Sequence, residues 1–140
     1  MPNKLQKWAF LADPETYGWT ELKRDGATVW DGIANVRAQN HLRTVRPGDL
    51  ALLYHTAPDK AIMGIVRVAS EPRPDPNADG RVVVDVEPVR ALARRLGLAE
   101  LKADDVLRDM SFVRMPRVAV QRVSDDEWER VLALSGTKLK

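Results

Sequence analysis

The sequence predicts an α+β domain, a curved and mainly antiparallel sheet wrapped into a small open β-barrel and flanked by short helices. Three observations lead there. Several segments show strand-like alternation or short apolar runs, hairpin-like turns join them without regular β-α-β alternation, and the helical segments between them are short. The 140 residues fit a single domain over 1–140, long enough to bury roughly two-thirds of the unfolded surface without covalent staples.

Lys7 to Leu11 is an apolar run containing Trp8 and Phe10, bounded by Asp13-Pro14, and reads as the opening strand. A short helix is expected over Tyr17 to Lys23, broken by Asp25-Gly26. Asp31-Gly32 marks a second tight turn and feeds a longer helix from Ala34 to Val45, which Arg46-Pro47-Gly48 stops. On a helical wheel Ala34, Ala38, Leu42 and Val45 form a narrow apolar stripe. Asn35, Gln39, Arg43 and Arg46 line up beside it, and Arg37 and His41 take the other flank.

Leu50, Leu52 and Tyr54 then alternate with Ala51, Leu53 and His55 in a strand that is expected to end at Thr56. Its period puts Tyr54 and His55 on opposite faces, so either a bulge or the strand end rotates one of them, or one belongs to the core and the other to a site. Ala61 to Ala69 is the next strand, and Gly64 within it signals a bulge or the close approach of a backbone or ligand. Glu71 to Gly80 reads as a long turn and Arg81 to Val89 as a half-buried strand, with its continuation through Ala93 open between strand and helix. Leu98 to Lys102 is a helical turn and Pro116 to Val123 the last strand. Ser124 with Glu127 forms a capping box opening a final helix, whose Trp128, Val131 and Leu132 seal the core before Gly136 ends it.

Composition narrows the chemistry. Without cysteine, thiolate catalysis, disulfides and sulfur-rich metal sites are excluded. The N-terminus runs M-P-N-K-L-Q-K straight into Trp8 without a signal-like apolar run, and no stretch approaches a membrane span, so a soluble, cytoplasmic protein is expected. The 22 basic and 20 acidic residues leave a net charge of only +2, so any polyanion site must be local. Trp30 to Thr56 is where such a site is expected. It gathers aromatic, amide, imidazole and cationic groups, and these suit a planar hydrogen-bonding ligand attached to phosphate, because rings stack, amides read edges and arginines hold charge.

Ordered segments along most of the chain resemble the EVE domain family, PUA-like barrels related to the YTH domain. They are Trp8 with Asp13-Pro14, then Trp30-Asp31-Gly32-Ile33-Ala34-Asn35, the helix with Ala38, Asn40, Leu42 and Arg43, Gly48-Asp49 leading to Tyr54-His55-Thr56, and Gly64, Asp75-Pro76 and Arg117-Val118-Ala119-Val120-Gln121. The resemblance implies a PUA-like fold and a non-enzymatic domain that takes a modified base of DNA or RNA, or a modified nucleotide, into an aromatic-lined pocket. It implies no cofactor, no metal and no membrane partner, and a monomer is expected. Trp30 would stack on the base, with Tyr54 or Trp19 as a second wall. Asn35, Asn40 and Thr56 would read its edge, with His55, Ala12 and Asp13 nearby, and Arg37, Arg43 and Arg46, with His41 beside them, would hold phosphates. The chain departs from the family's Lys-Ser-Glu-Pro-like stretch at Leu11-Ala12-Asp13-Pro14, from Gly-Val-Arg-Asn at Ala34, and from a serine at Ala119. Each departure makes the expected pocket less polar.

Bland readings stand beside these. Trp30 serves equally as a core plug, Asn35 as a helix cap, His55 as a hydrogen-bonded structural histidine, and the helix arginines as a solvated face. Two further functions compete with base recognition: a nucleotide-directed hydrolase with His55 as base and Asp49 or Asp31 as its orienter, and an adaptor domain with a vestigial pocket. The hydrolase lacks support from any nucleophile elbow, P-loop or HxxxH pair, and the chain has only two histidines.

Overall fold

The computed structural model describes residues 5–139. The opening Met1 to Lys4, part of the stretch read for a targeting signal, and Lys140 lie outside the described residues. Strands β1 (Lys7–Ala12), β2 (Thr28–Trp30), β3 (Leu50–His55), β4 (Ala61–Val68), β5 (Arg73–Pro74), β6 (Val82–Gly97) and β7 (Val120–Val123) alternate with helices α1 (Trp19–Asp25), α2 (Val36–Leu42), α3 (Leu98–Ala103), α4 (Ser111–Arg114) and α5 (Asp125–Ser135). The sheet order is β2-β6-β4-β3-β1-β7, with β5 on β6. Only β1 and β3 run parallel. The sheet is therefore mixed, and it curls into a half-barrel whose terminal strands, β2 and β7, do not pair with each other.

Side-chain alternation gives the sheet two cores. From β1, Trp8, Phe10 and Ala12 enter a core inside the curl with α1 and α2, whereas Ala9 and Leu11 enter a second core covered by α3, α4 and α5. Asp49, 1% exposed, ties the inner core to the chain's start: its carboxylate accepts from Gln6 N (2.9 Å), Trp8 Nε1 (2.9 Å) and Arg46 N (3.0 Å). Gly64 leaves room for the Trp19 indole, since a β-carbon there would lie 2.7 Å from Trp19 Cη2. The close approach expected at Gly64 is thus made by a side chain of α1. A register shift between Leu53 and Tyr54 accompanies it.

Several boundaries differ from expectation for identifiable reasons. The final helix starts and stops as its capping box and Gly136 predict, but α2 begins only at Val36, because the Asn35 side chain caps it by accepting from Ala38 N at 2.9 Å. Residues 90–97 continue β6 as strand through pairing with β4. The expected long turn contains β5, held by β6, and Pro116 to Ala119 is loop rather than strand. Among the described residues no helix is long and apolar enough to cross a membrane, and no cluster of metal-ligating side chains occurs.

Candidate functional site

A sheet that curls without closing leaves a seam between its terminal strands, and the main cavity lies in it. About 820 Å³ in volume, it is walled by the end of β1 and the turn after it, by β2 and the turn into α2, and by Arg117 and Ala119 ahead of β7. That volume is in the range of small-molecule sites. Leu11, Ala12, Trp30 and Ile33 supply buried apolar surface to it. Trp30 is 8% exposed and stacks on Phe10, with centroids 5.8 Å apart and planes 23° apart. It is core plug and cavity wall at once: Phe10 holds the ring and its remaining surface lines the cavity.

Most polar groups in the wall are already engaged. Asp13 accepts from Glu15 N (2.9 Å) and the Thr16 hydroxyl (3.3 Å). The Tyr17 hydroxyl donates to Asp25 at 2.7 Å, and burial, reinforced by that carboxylate, raises its pKa. Asn35 spends its carbonyl on the helix cap but keeps its amide donors. Among the described residues, Asp31 and Arg117 make no side-chain hydrogen bond or ion pair, and both line the cavity. A carboxylate and a guanidinium are thus left for a ligand.

The structure brings Ala12, Asp13, Trp30 and Asn35 of the expected site together and leaves the others elsewhere. Tyr54 and His55 do face opposite ways, but neither reaches the cavity, because β3 lies inside the sheet with both faces covered. Tyr54 packs on Phe112, centroids 4.8 Å apart, and burial raises its pKa. The buried His55 ring is bonded at both nitrogens: Nε2 accepts from Trp19 N at 2.9 Å, which leaves the Nδ1 proton to donate to Asp59 at 2.9 Å. A β-carbon on Gly18 would lie 2.8 Å from that Nε2. Thr56 ties down the end of β1 by donating to Ala12 O.

The expected phosphate ligands scatter as well. Asn40 and Arg43 lie with Val36 and Arg81 in a shallower groove of about 490 Å³ that meets the cavity at Ala34. There the Arg43 guanidinium donates to Asn40 Oδ1 and to Gly80 O. Arg37 donates to Met115 Sδ (3.0 Å) on another flank, and Arg46 sits in the turn whose N–H binds Asp49. His41 packs edge-on against Trp8, whose ring also carries Arg122 over it, and desolvation, aided by Arg122 and Arg37, lowers the His41 pKa. That lowering disfavours the imidazolium a phosphate would need. The wall residues Thr16, Tyr17, Thr28 and Arg117 were missed from sequence: Thr16, Tyr17 and Arg117 lie in irregular turns, which show no period, and Thr28 in a strand of three residues, too short to show one. Arg117, beside the resemblance's final strand, offered the one usable signal.

An open half-barrel of mixed strands flanked by a few short helices is the architecture of the PUA-like class. Within that class, the EVE domain model matches residues 6–134. The chain belongs to the EVE domain family. Human thymocyte nuclear protein 1 is 30% identical over 170 residues, covering 96% of this chain and 76% of that protein. A solved structure from Rhodopseudomonas palustris superposes with a TM-score of 0.90 at 31% identity, covering 94% of each chain. Human THYN1 in complex with DNA containing 5-methylcytosine superposes with a TM-score of 0.85 at 25% identity, covering 95% of this chain and 99% of that one.

Proposed function

We propose that this chain is a non-enzymatic nucleic-acid-binding domain that takes a modified base, flipped out of its strand, into the seam cavity beside Trp30. The observation that carries the reading is the cavity of about 820 Å³, roomy enough to admit a base and walled by an indole already held from behind by Phe10. The human relative's complex with 5-methylcytosine DNA makes a methylated cytosine in DNA the first candidate, and RNA the second.

The energetics are consistent with this. Extruding a base costs a few kcal/mol in a duplex and less in a single strand, and stacking on one aromatic returns about 1 to 3 kcal/mol. A buried methyl adds about 0.8 kcal/mol, and the apolar surfaces of Leu11, Ala12 and Ala119 offer it a dry contact. Selectivity for the mark is therefore expected to be severalfold. Arg117 supplies the cation for a neighbouring phosphate. His55 is unsuited to hydrolysis, because both ring nitrogens are occupied within the core. A monomer acting in the cytoplasm completes the reading, testable by size-exclusion chromatography and by locating a tagged chain.

The test is a titration of oligonucleotides that differ only in one base, modified or plain, in single- and double-stranded DNA and in RNA. Tighter binding of a modified oligonucleotide than of its control is expected, with the preference reduced when Ala119→Leu fills the cavity. Equal binding of every pair would overturn the reading.

A further inference from the structure

We infer that the strand whose base enters the seam cavity leaves it along β7, with its phosphates held by the guanidiniums of Arg117, Arg37 and Arg122. The inference rests on the proposed function and goes further, naming the path of the strand outside the cavity and the residues that hold it there.

These three arginines are scattered in sequence, yet they meet on one flank. Arg117 stands in the cavity wall, in the turn that Val118 N closes on Met115 O at 3.2 Å. The sulfur of that same Met115 accepts from Arg37 Nη1 at 3.0 Å, which brings α2 onto the turn. Arg122 follows on β7, opposite Trp8 of β1, and its guanidinium lies over the Trp8 ring at 5.3 Å. At most about 17 Å of backbone separates Arg117 from Arg122, so a few nucleotides would cover the track. His41, edge-on to the same Trp8, feels the positive field. Arg122 and Arg37 both help to lower its pKa, and no carboxylate among the described residues opposes them.

A cluster of like charges costs energy unless something of opposite sign answers it. Elsewhere the chain supplies that answer itself: Arg67 pairs with Glu87, Arg94 with Glu100, Arg114 with Asp109 and Arg130 with Asp104. On the β7 flank none of the three meets a carboxylate among the described residues. Arg37 and Arg122 rest instead on a thioether and an aromatic face, which fix both groups while leaving most of their N–H donors unspent. Planar donors held beside one another suit the oxygens of successive phosphates. Arg43, in the groove beyond Ala34, spends its donors on Asn40 Oδ1 and Gly80 O. The flank continuous with the cavity at Arg117 is therefore the one whose charge a strand would complement.

The experiment is fluorescence anisotropy with a short single-stranded DNA bearing 5-methylcytosine or cytosine at its centre, titrated between about 50 and 200 mM salt. In Arg37→Gln/Arg122→Gln the slope of log K against log salt should fall by about 1.4, so that the affinity lost across that salt range shrinks about sevenfold. The preference for 5-methylcytosine over cytosine should stay at the wild-type ratio, because phosphate contacts position the strand and do not read the base. Arg37→Lys/Arg122→Lys, which keeps both charges, should return most of the slope. Arg90→Gln/Arg95→Gln removes two exposed β6 arginines that likewise pair with no carboxylate among the described residues, and should leave the slope unchanged. An equal fall in that control pair would reduce the effect to net charge and overturn the inference, as would a wild-type slope in Arg37→Gln/Arg122→Gln; base reading stands in either case if the wild type keeps its preference. Absence of any preference in the wild type would remove both.

Discussion

Substituting Gly64 by alanine should destabilise the protein, and the loss should vanish when Trp19 is trimmed. An added β-carbon would lie 2.7 Å from Trp19 Cη2 and Cζ3 and 2.9 Å from Cε3, well inside ordinary contact. The indole cannot retreat freely. It is 9% exposed, and its backbone N–H is tied to His55 Nε2. Overpacking of this kind costs about 1 to 3 kcal/mol, of which relief of strand glycine entropy offsets about 0.5 kcal/mol. At roughly 3 °C per kcal/mol for a domain of this size, Gly64→Ala should lower Tm by about 2 to 8 °C. Trp19→Leu removes the three clashing atoms, so in that background Gly64→Ala should be neutral or slightly stabilising. Thermal unfolding followed by circular dichroism on the four members of the cycle reads the coupling. An equal drop in both backgrounds would refute the claim that Gly64 exists to seat Trp19.

Asp49→Ala leaves three donors, the buried Trp8 Nε1 among them, without an acceptor; a loss of about 3 to 5 kcal/mol in urea unfolding is expected, larger than for Asp49→Asn. His41 has a pKa below its ordinary 6.5, so its contribution is full above that value and is lost as pH falls toward the folded-state pKa, where only the unfolded chain takes the proton. The fall in Tm between pH 7 and pH 5 should therefore be shallower in His41→Asn than in the wild type. Arg117→Ala should weaken oligonucleotide binding and reduce the slope of log K against log salt by about 0.7 on single strands, with Tm unchanged, because the guanidinium has no hydrogen bond or ion pair among the described residues.

Local signals in the sequence were reliable where a residue's role is set by its neighbours along the chain. The capping box of Ser124 and Glu127, the stop at Gly136 and the opposed faces of Tyr54 and His55 are all of this kind, whereas the missing side chain at Gly64 signalled a close approach without saying that Trp19 makes it. What stayed hidden depends on which strands end the sheet. No period in Thr28 to Trp30 or Val120 to Val123 says that these two strands are edges and that a cavity separates them. Tyr54, His55 and Thr56 looked like site residues because they follow Trp30 closely in sequence, yet β3 lies well inside the sheet, with β1 between it and β7. The helical wheel grouped Asn35 with Arg43 and Arg46, but a cap residue sits outside the helix it opens, which is how Asn35 reaches the cavity while Arg43 lies in the next groove.

The most direct measurement is an isotope-filtered NMR experiment on the chain bound to DNA in which one 5-methylcytosine carries a ¹³C-labelled methyl. Contacts from that methyl to the side chains of Leu11, Ala12, Trp30 or Ala119 would place the base in the seam cavity, as proposed. A bound complex in which the methyl shows contacts only to residues outside the cavity, such as Val36 or Arg81, would contradict it.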